Sequence, residues 1–409
     1  MSSLKYWVWL SSISGVGAVT AAALLRHFGS PESAFNATEK DYAGVEGLKP
    51  REVKRLMQKD IEPASKILAS CAQIQCRVIT LQDAEYPDRL KNIFDPPVVL
   101  YVRGTFPFID DEPVVSIVGT RKCTPYGIKA AENIAYKLSR RGVTVITGLA
   151  RGIDTAATRG ALRGEGCVLG VIGCGLDTVY PPENVAVFDE VARSGAIISE
   201  YPPGTPPLPP HFPARNRILS GMSLGVVVIE APQKSGALIT AARALEQGRD
   251  VFSLPGNVDS KTCEGSNALL RDGAIPILSA DDIISEYAEL YPDKITLEGQ
   301  VHTSTSDKAK QEQVASGHSA ANEKSQPDDV NTIDKTIKMD YIDLDKLLNA
   351  LSGNEKSVAE AIGSGTVHVD DIIAKTGLPA HQVLAALTML ELNGNATNDG
   401  NRFFRLVRS

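Results

Sequence analysis

The sequence predicts an α/β protein whose core is a parallel sheet with helices on both faces. Six short apolar runs between residues 113 and 287 alternate with stretches of helical length and periodicity. Near-continuous apolar strands are typical of sheets buried on both faces, and alternation with helices is typical of parallel sheets. A chain of 409 residues also exceeds one ordinary core. We therefore expect a Rossmann-like core that carries smaller domains at its two ends.

The core strands are each followed by a loop or a helix. The predicted strands are 114–118, 143–147, 168–172, 196–199, 225–229 and 251–254, and the predicted helices include 128–140, 185–193 and 237–247. The first of these helices has the best-defined ends. Thr124 can cap its start, Pro125 suits its first turn, and Gly142 can end it.

Residues 1–75 are expected to form a small helical domain of the SAM or helix-hairpin-helix kind. Two glycine-centred turns, at 15–17 and 45–48, each precede a stretch of helical periodicity. Such turns allow a phosphate to approach a helix N-terminus. The same pattern is also expected of a helix-turn-helix unit that only packs and binds no ligand. A connector at 76–112, with two short strands, leads into an extended Rossmann-like domain at 76–290.

Residues 291–344 are expected to be a disordered linker, because large apolar side chains are almost absent between 299 and 331. Helical periodicity returns in residues 345–409, at 346–351, 357–362, 369–376 and 380–392. A turn at 398–401 can then form a hairpin, which completes the pattern of a winged-helix domain. The predicted recognition helix, 380–392, contains no Lys or Arg, and this favours protein docking or regulation over DNA reading.

Charge and cysteine content limit the possible functions. The net charge is −7, which argues against binding nucleic acid through overall charge. The predicted core has 17 basic and 17 acidic residues, so a positive field would have to be local. The six cysteines form no CxxC pair, which suits a reducing cytoplasm and argues against a disulfide framework or a zinc site. We expect a cytoplasmic protein with no membrane span, metal or cofactor.

Ligands of open parallel sheets lie at the carboxyl ends of the strands, where the strand order reverses. The loops expected at that edge combine glycines and cations with one aromatic residue. Glycine backbones and cations hold phosphates, and the aromatic ring can stack on a base, as single-strand binding requires. The candidate binding residues are Gly119, Thr120, Arg121, Gly148, Arg151, Phe212, Arg215, Asn216, Arg217, Lys234, Ser235 and Gly236.

Several residues of these loops also have a structural explanation. Phe212 can belong to the core, Arg217 can brace the sheet through Glu200 or Glu230, and Asp154 can cap the following helix. No loop combines two carboxylates with a His, or a Ser or Cys with an adjacent base, so we expect the site to bind and not to react. The motif GxxxxGK[ST] is absent, and the first strand does not lead into GxGxxG.

Seven segments of the core, taken in order, resemble the DprA/Smf family. They are IVGTRKCTPYG, TGLARGIDTAATRGAL, GCGLDTVYPPEN, ISEYPPGTPP, HFPARNRILSGMS, VIEAPQKSGALITAARALEQGRDVFSLPGN and GSNALLRDGA. The set spans about residues 114–277, and its order makes it far more specific than any one segment. The resemblance implies a non-enzymatic protein that binds and protects incoming single-stranded DNA in natural transformation. It also implies help in loading a RecA-type recombinase, and a homodimer formed through the Rossmann-like domain.

By this resemblance, the DNA pocket includes residues 119–121, 212, 215–217 and 234–236, and the dimer surface lies near 267–277. The chain departs from the family pattern at Pro209, where some relatives carry a lysine, so one phosphate contact is in question. It also departs at Thr158, where relatives often have a His, with no evident consequence for binding.

Two other functions fit an α/β core. One is a Rossmann-like nucleotide hydrolase related to the phosphoribohydrolases, although only a fragment of their PGGxGT stretch occurs, at 255–257. The other is a dinucleotide-dependent oxidoreductase, for which the glycine fingerprint is missing.

Overall fold

The computed structural model describes residues 3–296, 353–363, 367–392, 395–398 and 403–406. They belong to two compact units, Met1–Ser316 and Gly317–Ser409. Most of the predicted linker, the predicted helix 346–351 and the centre of the turn at 398–401 lie outside the described residues. None of the helices in the described ranges is both long and apolar enough to span a membrane. The bounds of the four segments proposed from the sequence stay predictions.

Six helices open the first unit. They are α1 (Leu4–Ser12), α2 (Ala18–Phe28), α3 (Pro31–Asn36), α4 (Glu39–Tyr42), α5 (Pro50–Leu56) and α6 (Glu62–Gln73). The two glycine turns expected from the sequence join α1 to α2 and α4 to α5. Gly15 and Gly47 take φ values of 79° and 77° there, a conformation that L side chains rarely adopt. Trp7, Leu24 and Leu56 form part of the buried centre between these helices.

A nine-stranded sheet forms the centre of the first unit. Its strands are β1 (Arg77–Thr80), β2 (Val99–Gly104), β3 (Val114–Val118), β4 (Thr144–Thr147), β5 (Val168–Ile172), β6 (Ala196–Ser199), β7 (Gly225–Val228), β8 (Asp250–Ser253) and β9 (Ile275–Pro276). The strand order is β1-β2-β6-β5-β4-β3-β7-β8-β9. Strands β3 to β9 run parallel, and each predicted core strand is present to within one residue. The predicted parallel α/β core is therefore confirmed.

The connector strands extend this sheet. Strand β2 pairs antiparallel with β6, with Tyr101 opposite Ser199, and β1 pairs antiparallel with β2. Without β2, the backbone N–H and C=O groups of β6 would form an open sheet edge. The connector therefore covers one edge of the Rossmann-like core.

Eight helices accompany the sheet. They are α7 (Asp88–Lys91), α8 (Pro125–Arg140), α9 (Ile153–Arg163), α10 (Val185–Ser194), α11 (His211–Met222), α12 (Gly236–Glu246), α13 (Glu264–Arg271) and α14 (Asp281–Tyr287). Thr124 caps α8 as predicted, since its hydroxyl accepts a hydrogen bond from the Gly127 N–H at 3.1 Å.

Helix α11 corrects one prediction from the sequence, namely that the candidate residues between 212 and 217 lie in a loop at the carboxyl ends of the strands. Residues 211–217 instead form the first two turns of α11. Pro213 is tolerated because N–H groups in the first turn of a helix have no intrahelical acceptor. At about 100° per residue, Phe212, Arg215 and Asn216 share one helix face, whereas Arg217 lies roughly 140° away from Phe212.

The second unit has the winged-helix pattern that the sequence predicts. Its elements are α15 (Gly353–Ile362), β10 (Val367–His368), α16 (Val369–Thr376), α17 (Ala380–Leu392), β11 (Ala396–Asn398) and β12 (Phe403–Leu406). Strand β12 lies between β10 and β11, and both pairings are antiparallel. Val358, Ile372, Val383 and Leu387 are among the buried residues at its centre.

Candidate functional site

The strand order reverses between β3 and β7. From β3 the chain adds β4, β5 and β6 on one side, and then β7, β8 and β9 on the other. Loops on the two sides diverge at such a point, and a crevice opens outside the carboxyl ends of the strands. A cavity of about 740 Å³ lies there. The structure therefore has a cavity at the edge of the sheet where the sequence predicts the ligand.

Most of the predicted binding residues meet at this cavity. Those that line it are Gly119, Thr120, Arg121, Phe212, Arg215, Asn216, Lys234, Ser235 and Gly236. Gly148 and Arg151 line a smaller recess that shares Arg121 and Phe212 with the main cavity. Arg217 lines neither, so the structure brings together eleven of the twelve predicted residues.

Arg217 is the predicted binding residue that the structure places elsewhere. Its side chain is only 7% exposed and forms ion pairs with Glu200 at 2.7 Å and Asp95 at 3.1 Å. Burial alone would lower the pKa of Arg217, but the two carboxylates raise it above the usual value. The structure therefore shows the bracing contact with Glu200 and places Arg217 outside the cavity lining, while a contact between Arg217 and a ligand stays a prediction.

Arg215 forms part of the cavity floor. It is 5% exposed, and its guanidinium donates hydrogen bonds to the carbonyl of Gly148 at 2.8 Å and to that of Val171. Desolvation lowers the pKa of Arg215 to about 10, and the nearby Asp154 carboxylate opposes that shift. The side chain is therefore still cationic at neutral pH, and it links the ends of β4 and β5 beneath the cavity.

Asp154 shapes the loop after β4. Its carboxylate accepts hydrogen bonds from the N–H groups of Gly148 at 3.1 Å and Ala150 at 3.4 Å. Burial raises the pKa of Asp154, although Arg215 and these N–H groups favour the charged form. Gly148 also has a structural role, because a Cβ at this position would lie 2.5 Å from the Arg215 guanidinium.

The N-terminus of α8 is already occupied by a carboxylate of the protein. Glu230, 1% exposed at the end of β7, accepts hydrogen bonds from the Thr124 N–H at 2.9 Å and the Thr124 hydroxyl at 2.5 Å. Its carbonyl also accepts the Thr120 N–H at 2.7 Å. A ligand anion at this helix end would therefore have to compete with Glu230.

The start of α12 is open by comparison. Ser235 caps this helix by accepting a hydrogen bond from the Ala237 N–H at 3.2 Å. A Cβ at Gly236 would meet no atom within 4 Å. Helix N-termini attract anions, so α12 presents an accessible anion-binding end to the cavity.

The cations at the cavity mouth have no carboxylate partner in the part of the chain that the structure describes. Arg121, Lys122, Lys234 and Lys261 are exposed and line the cavity, and within the described ranges none forms an ion pair with a carboxylate. In contrast, Arg151 in the adjoining recess pairs with Glu183. The one carboxylate in the lining is the buried Asp154. The positive field is therefore focused at the mouth although the domain as a whole is balanced.

Phe212 lies in the cavity wall and not in the core. It is half-buried, with the Arg121 guanidinium carbon 5.4 Å from its ring centroid. The ring of Tyr180 lies 5.4 Å away at an interplanar angle of 40°. Aromatic and guanidinium surfaces of this kind can stack on a nucleic-acid base.

Among the lining residues outside the predicted set, three have a cationic or aromatic side chain that suits a nucleic acid, namely Lys122, Tyr180 and Lys261. Lys122 follows Arg121 in the same loop, so its position in the sequence could have indicated it. Tyr180 lies in the loop region after β5, where no periodicity distinguishes a ligand from a packing residue. Lys261 reaches the cavity only through the fold of the segment after β8. In the described part of the chain, no group of three or more His, Cys, Asp or Glu could hold a metal.

Family models match three parts of the chain. Residues 77–288, more than half of the sequence, match the model of DNA recombination-mediator protein A. Residues 344–399 match the DprA winged-helix domain, and residues 10–59 match a SAM-like helix-hairpin-helix tandem. The predicted helical N-terminal domain and C-terminal winged helix are thereby confirmed.

Individual proteins give the same result. Protein Smf of Synechocystis is 39% identical over 288 residues, which cover 69% of this chain and 72% of that protein. The DNA processing protein DprA of Bacillus subtilis is 37% identical over 242 residues, or 59% and 82% of the two chains. The X-ray structure of DNA processing protein A from Streptococcus pneumoniae is 34% identical and covers 69% of this chain and 97% of its own, with a TM-score of 0.62.

Proposed function

This chain belongs to the DprA/Smf family, and from that premise we propose that it binds single-stranded DNA in the cavity at the β3/β7 switch point. The observation that carries the proposal is the set of four exposed cations around Phe212 that pair with no carboxylate of the described residues, beside the open start of α12. An unpaired cationic rim with an aromatic platform matches a phosphate backbone with an unstacked base.

In this proposal the strand is held mainly through its phosphates. Arg121 and Lys122 contact them from the loop after β3, and Lys234 and the first N–H groups of α12 contact them from the loop after β7. Such contacts bind without reading sequence, because every nucleotide carries the same phosphate.

The base would stack on Phe212. A base inside a duplex is paired and stacked on its neighbours, so it cannot reach a ring inside a cavity without being extruded. Single strands avoid that cost, and preference for a single strand therefore follows from the position of Phe212 in the wall.

Arg215 and Asn216 act indirectly in this proposal. The Asn216 amide donates to the Gly236 carbonyl at 3.2 Å and accepts from Arg215 Nε at 3.2 Å, so it links α11 to the start of α12. Both side chains use their hydrogen bonds on the protein. They would set the charge and shape of the cavity floor while the exposed cations meet the DNA.

We also propose that the protein is a binder and not an enzyme, and that it acts in the cytoplasm. Its role would be to protect incoming DNA during natural transformation and to help load a RecA-type recombinase. The family premise further supports a homodimer through the Rossmann-like domain, at about residues 267–277. The winged helix would dock a protein, since α17 has no cationic side chain and exposes Leu384 and Met389.

The test compares Arg121→Ala with Arg193→Ala. Arg193 is an exposed arginine in the last turn of α10, just before β6 begins, and therefore at the amino ends of the strands. Binding of single- and double-stranded oligonucleotides is measured at several salt concentrations. We expect the wild-type protein to prefer single strands. Arg121→Ala should weaken binding for all sequences and reduce the slope of log K against log salt by about 0.7–1.

The Arg193 control should bind as the wild type does. Unchanged affinity and an unchanged salt slope in Arg121→Ala would mean that Arg121 does not contact the DNA. A preference for duplex, or release of free base from nucleoside monophosphates, would refute the single-strand proposal.

A further inference from the structure

The loop after β8 brings a cation to the cavity that no prediction from the sequence includes. Lys261 and Thr262 line the cavity together with the loops after β3 and β7. Lys261 is exposed, and its amine has no hydrogen bond or ion pair within the described ranges. Two acidic residues, Asp259 and Glu264, lie close in sequence, yet neither pairs with it. This cation is therefore available to a ligand.

The loop that carries Lys261 is held in shape by its own hydrogen bonds. The Asn257 side chain accepts from the Asp259 N–H at 3.0 Å, and the Asn257 carbonyl accepts from the Ser260 N–H at 3.0 Å. The Cys263 N–H then donates to the Ser260 carbonyl at 2.9 Å. The backbone beside Lys261 is thus ordered before any ligand binds, which reduces the entropy lost on binding.

One side chain from α13 anchors the start of this loop. Asn267 Oδ1 accepts the Gly256 N–H at 3.0 Å, and Asn267 Nδ2 donates to the Gly256 carbonyl at 3.1 Å. Within the described ranges, Asn267 is the one side chain that bonds to both backbone groups of Gly256. Asn267 therefore fixes where the loop leaves β8, and with it the point from which Lys261 extends.

The charge around the cavity indicates what Lys261 would bind. Five cationic side chains and one carboxylate line the cavity, and that carboxylate is the buried Asp154. Like charges placed around one space disfavour the charged state of each other unless an anion lies between them. A phosphate of a bound strand would supply that anion.

We propose that Lys261 binds a backbone phosphate of the single strand and that Asn267 is the positioning residue for Lys261. This inference rests on the proposed function of the cavity. It adds the loop after β8 to the loops after β3 and β7 as a source of phosphate contacts.

The first test is Lys261→Gln in the full-length protein, with Lys137→Gln as the matched control. Lys137 is an exposed lysine in the last turn of α8, at the amino ends of the strands and away from the cavity. Affinity for a fluorescent oligo-dT and for a mixed sequence is measured over a range of salt. For Lys261→Gln we expect a Kd raised about three- to tenfold for both oligonucleotides, and a salt slope lowered by about 0.7.

The second test is a double-mutant cycle with Asn267→Ala. If Asn267 acts through Lys261, Asn267→Ala weakens DNA binding when Lys261 is present, but causes little further loss of affinity when it is combined with Lys261→Gln. An equal loss in both backgrounds would mean that Asn267 has only a general structural role, and would overturn its assignment. Asn267→Asp keeps an acceptor for the Gly256 N–H and serves if the alanine variant does not fold.

The outcomes separate this inference from the proposed function. Wild-type binding with unchanged affinity and slope in Lys261→Gln overturns the role of Lys261 and leaves the single-strand site intact. Failure of the wild type to bind single strands overturns both. Loss of affinity in Lys137→Gln equal to that in Lys261→Gln would show that only overall charge was measured.

Discussion

Replacing Arg217 by methionine separates a supporting role of this side chain from a binding role. Arg217 is 7% exposed and pairs with Glu200, which is 23% exposed, and with Asp95, which is 31% exposed. It also donates hydrogen bonds to the carbonyls of Asp95 at 3.0 Å and Ala214 at 3.1 Å. Methionine preserves much of the side-chain length but supplies no charge and no donor.

The expected loss of stability can be worked from these contacts. Removing one partner of a fully buried ion pair costs about 3–5 kcal/mol, because the remaining charge is left uncompensated. Glu200 and Asp95 are each partly hydrated, so we expect the free energy of unfolding to fall by about 2–4 kcal/mol. Arg121→Met, the same chemical change at an exposed and unpaired arginine, should alter stability by no more than about 0.5 kcal/mol.

Two measurements check this prediction. Urea unfolding followed by circular dichroism reports stability, and fluorescence anisotropy with a labelled oligonucleotide reports affinity at a temperature where both variants are folded. Arg217→Met should unfold at lower urea and bind single strands with the wild-type salt slope, while Arg121→Met should show the opposite pattern. Our reasoning is refuted if Arg217→Met keeps wild-type stability but loses affinity and slope as Arg121→Met does.

Three further predictions concern the floor, the platform and the rim of the cavity. Gly148→Ala should lower the free energy of unfolding in urea by about 1–3 kcal/mol, because the added Cβ would meet Arg215. Gly236→Ala has open space around the added Cβ and should change stability by no more than about 0.5 kcal/mol. Equal stability of the two variants would contradict this reasoning. Phe212→Leu should weaken single-strand binding by about 1–3 kcal/mol with an unchanged salt slope, and a change in slope alone would argue against stacking. Burial raises the pKa of the Cys123 thiol above its ordinary value of 9.0, so its alkylation by iodoacetamide should keep accelerating as pH rises past 9.0. Bound single strands should slow that alkylation, followed by mass spectrometry, because Cys123 directly follows the 119–122 loop; indifference to DNA would count against the site.

The core strands were predictable because burial on both faces of the sheet constrains the composition of each strand segment. A strand buried on both faces must be apolar at every position, so each appears as a short uninterrupted run. The cap of α8 was predictable for a similar reason, since Thr124 and Pro125 meet needs of the helix end that do not depend on distant residues.

The start of α11 was not predictable in the same way. Residues 202–213 contain seven prolines, which are typical of loops. The helix nevertheless begins at His211, because the first turn, where Pro213 lies, tolerates proline. That register decides which side chains face the cavity. It directs Phe212 and Arg215 to the cavity and Arg217 to Glu200.

The parallel α/β core, the edge of the sheet where a ligand would lie, and the cations and glycines concentrated there could all be derived from the sequence. Those features follow from local composition and from the rule that parallel strands end at one edge. Which of these cations pair with a carboxylate depends on the fold, because the partner carboxylates lie far away in the chain. Glu230 reaches Thr124 across 106 residues and Asp95 reaches Arg217 across 122, whereas Lys261 meets no such partner among the described residues.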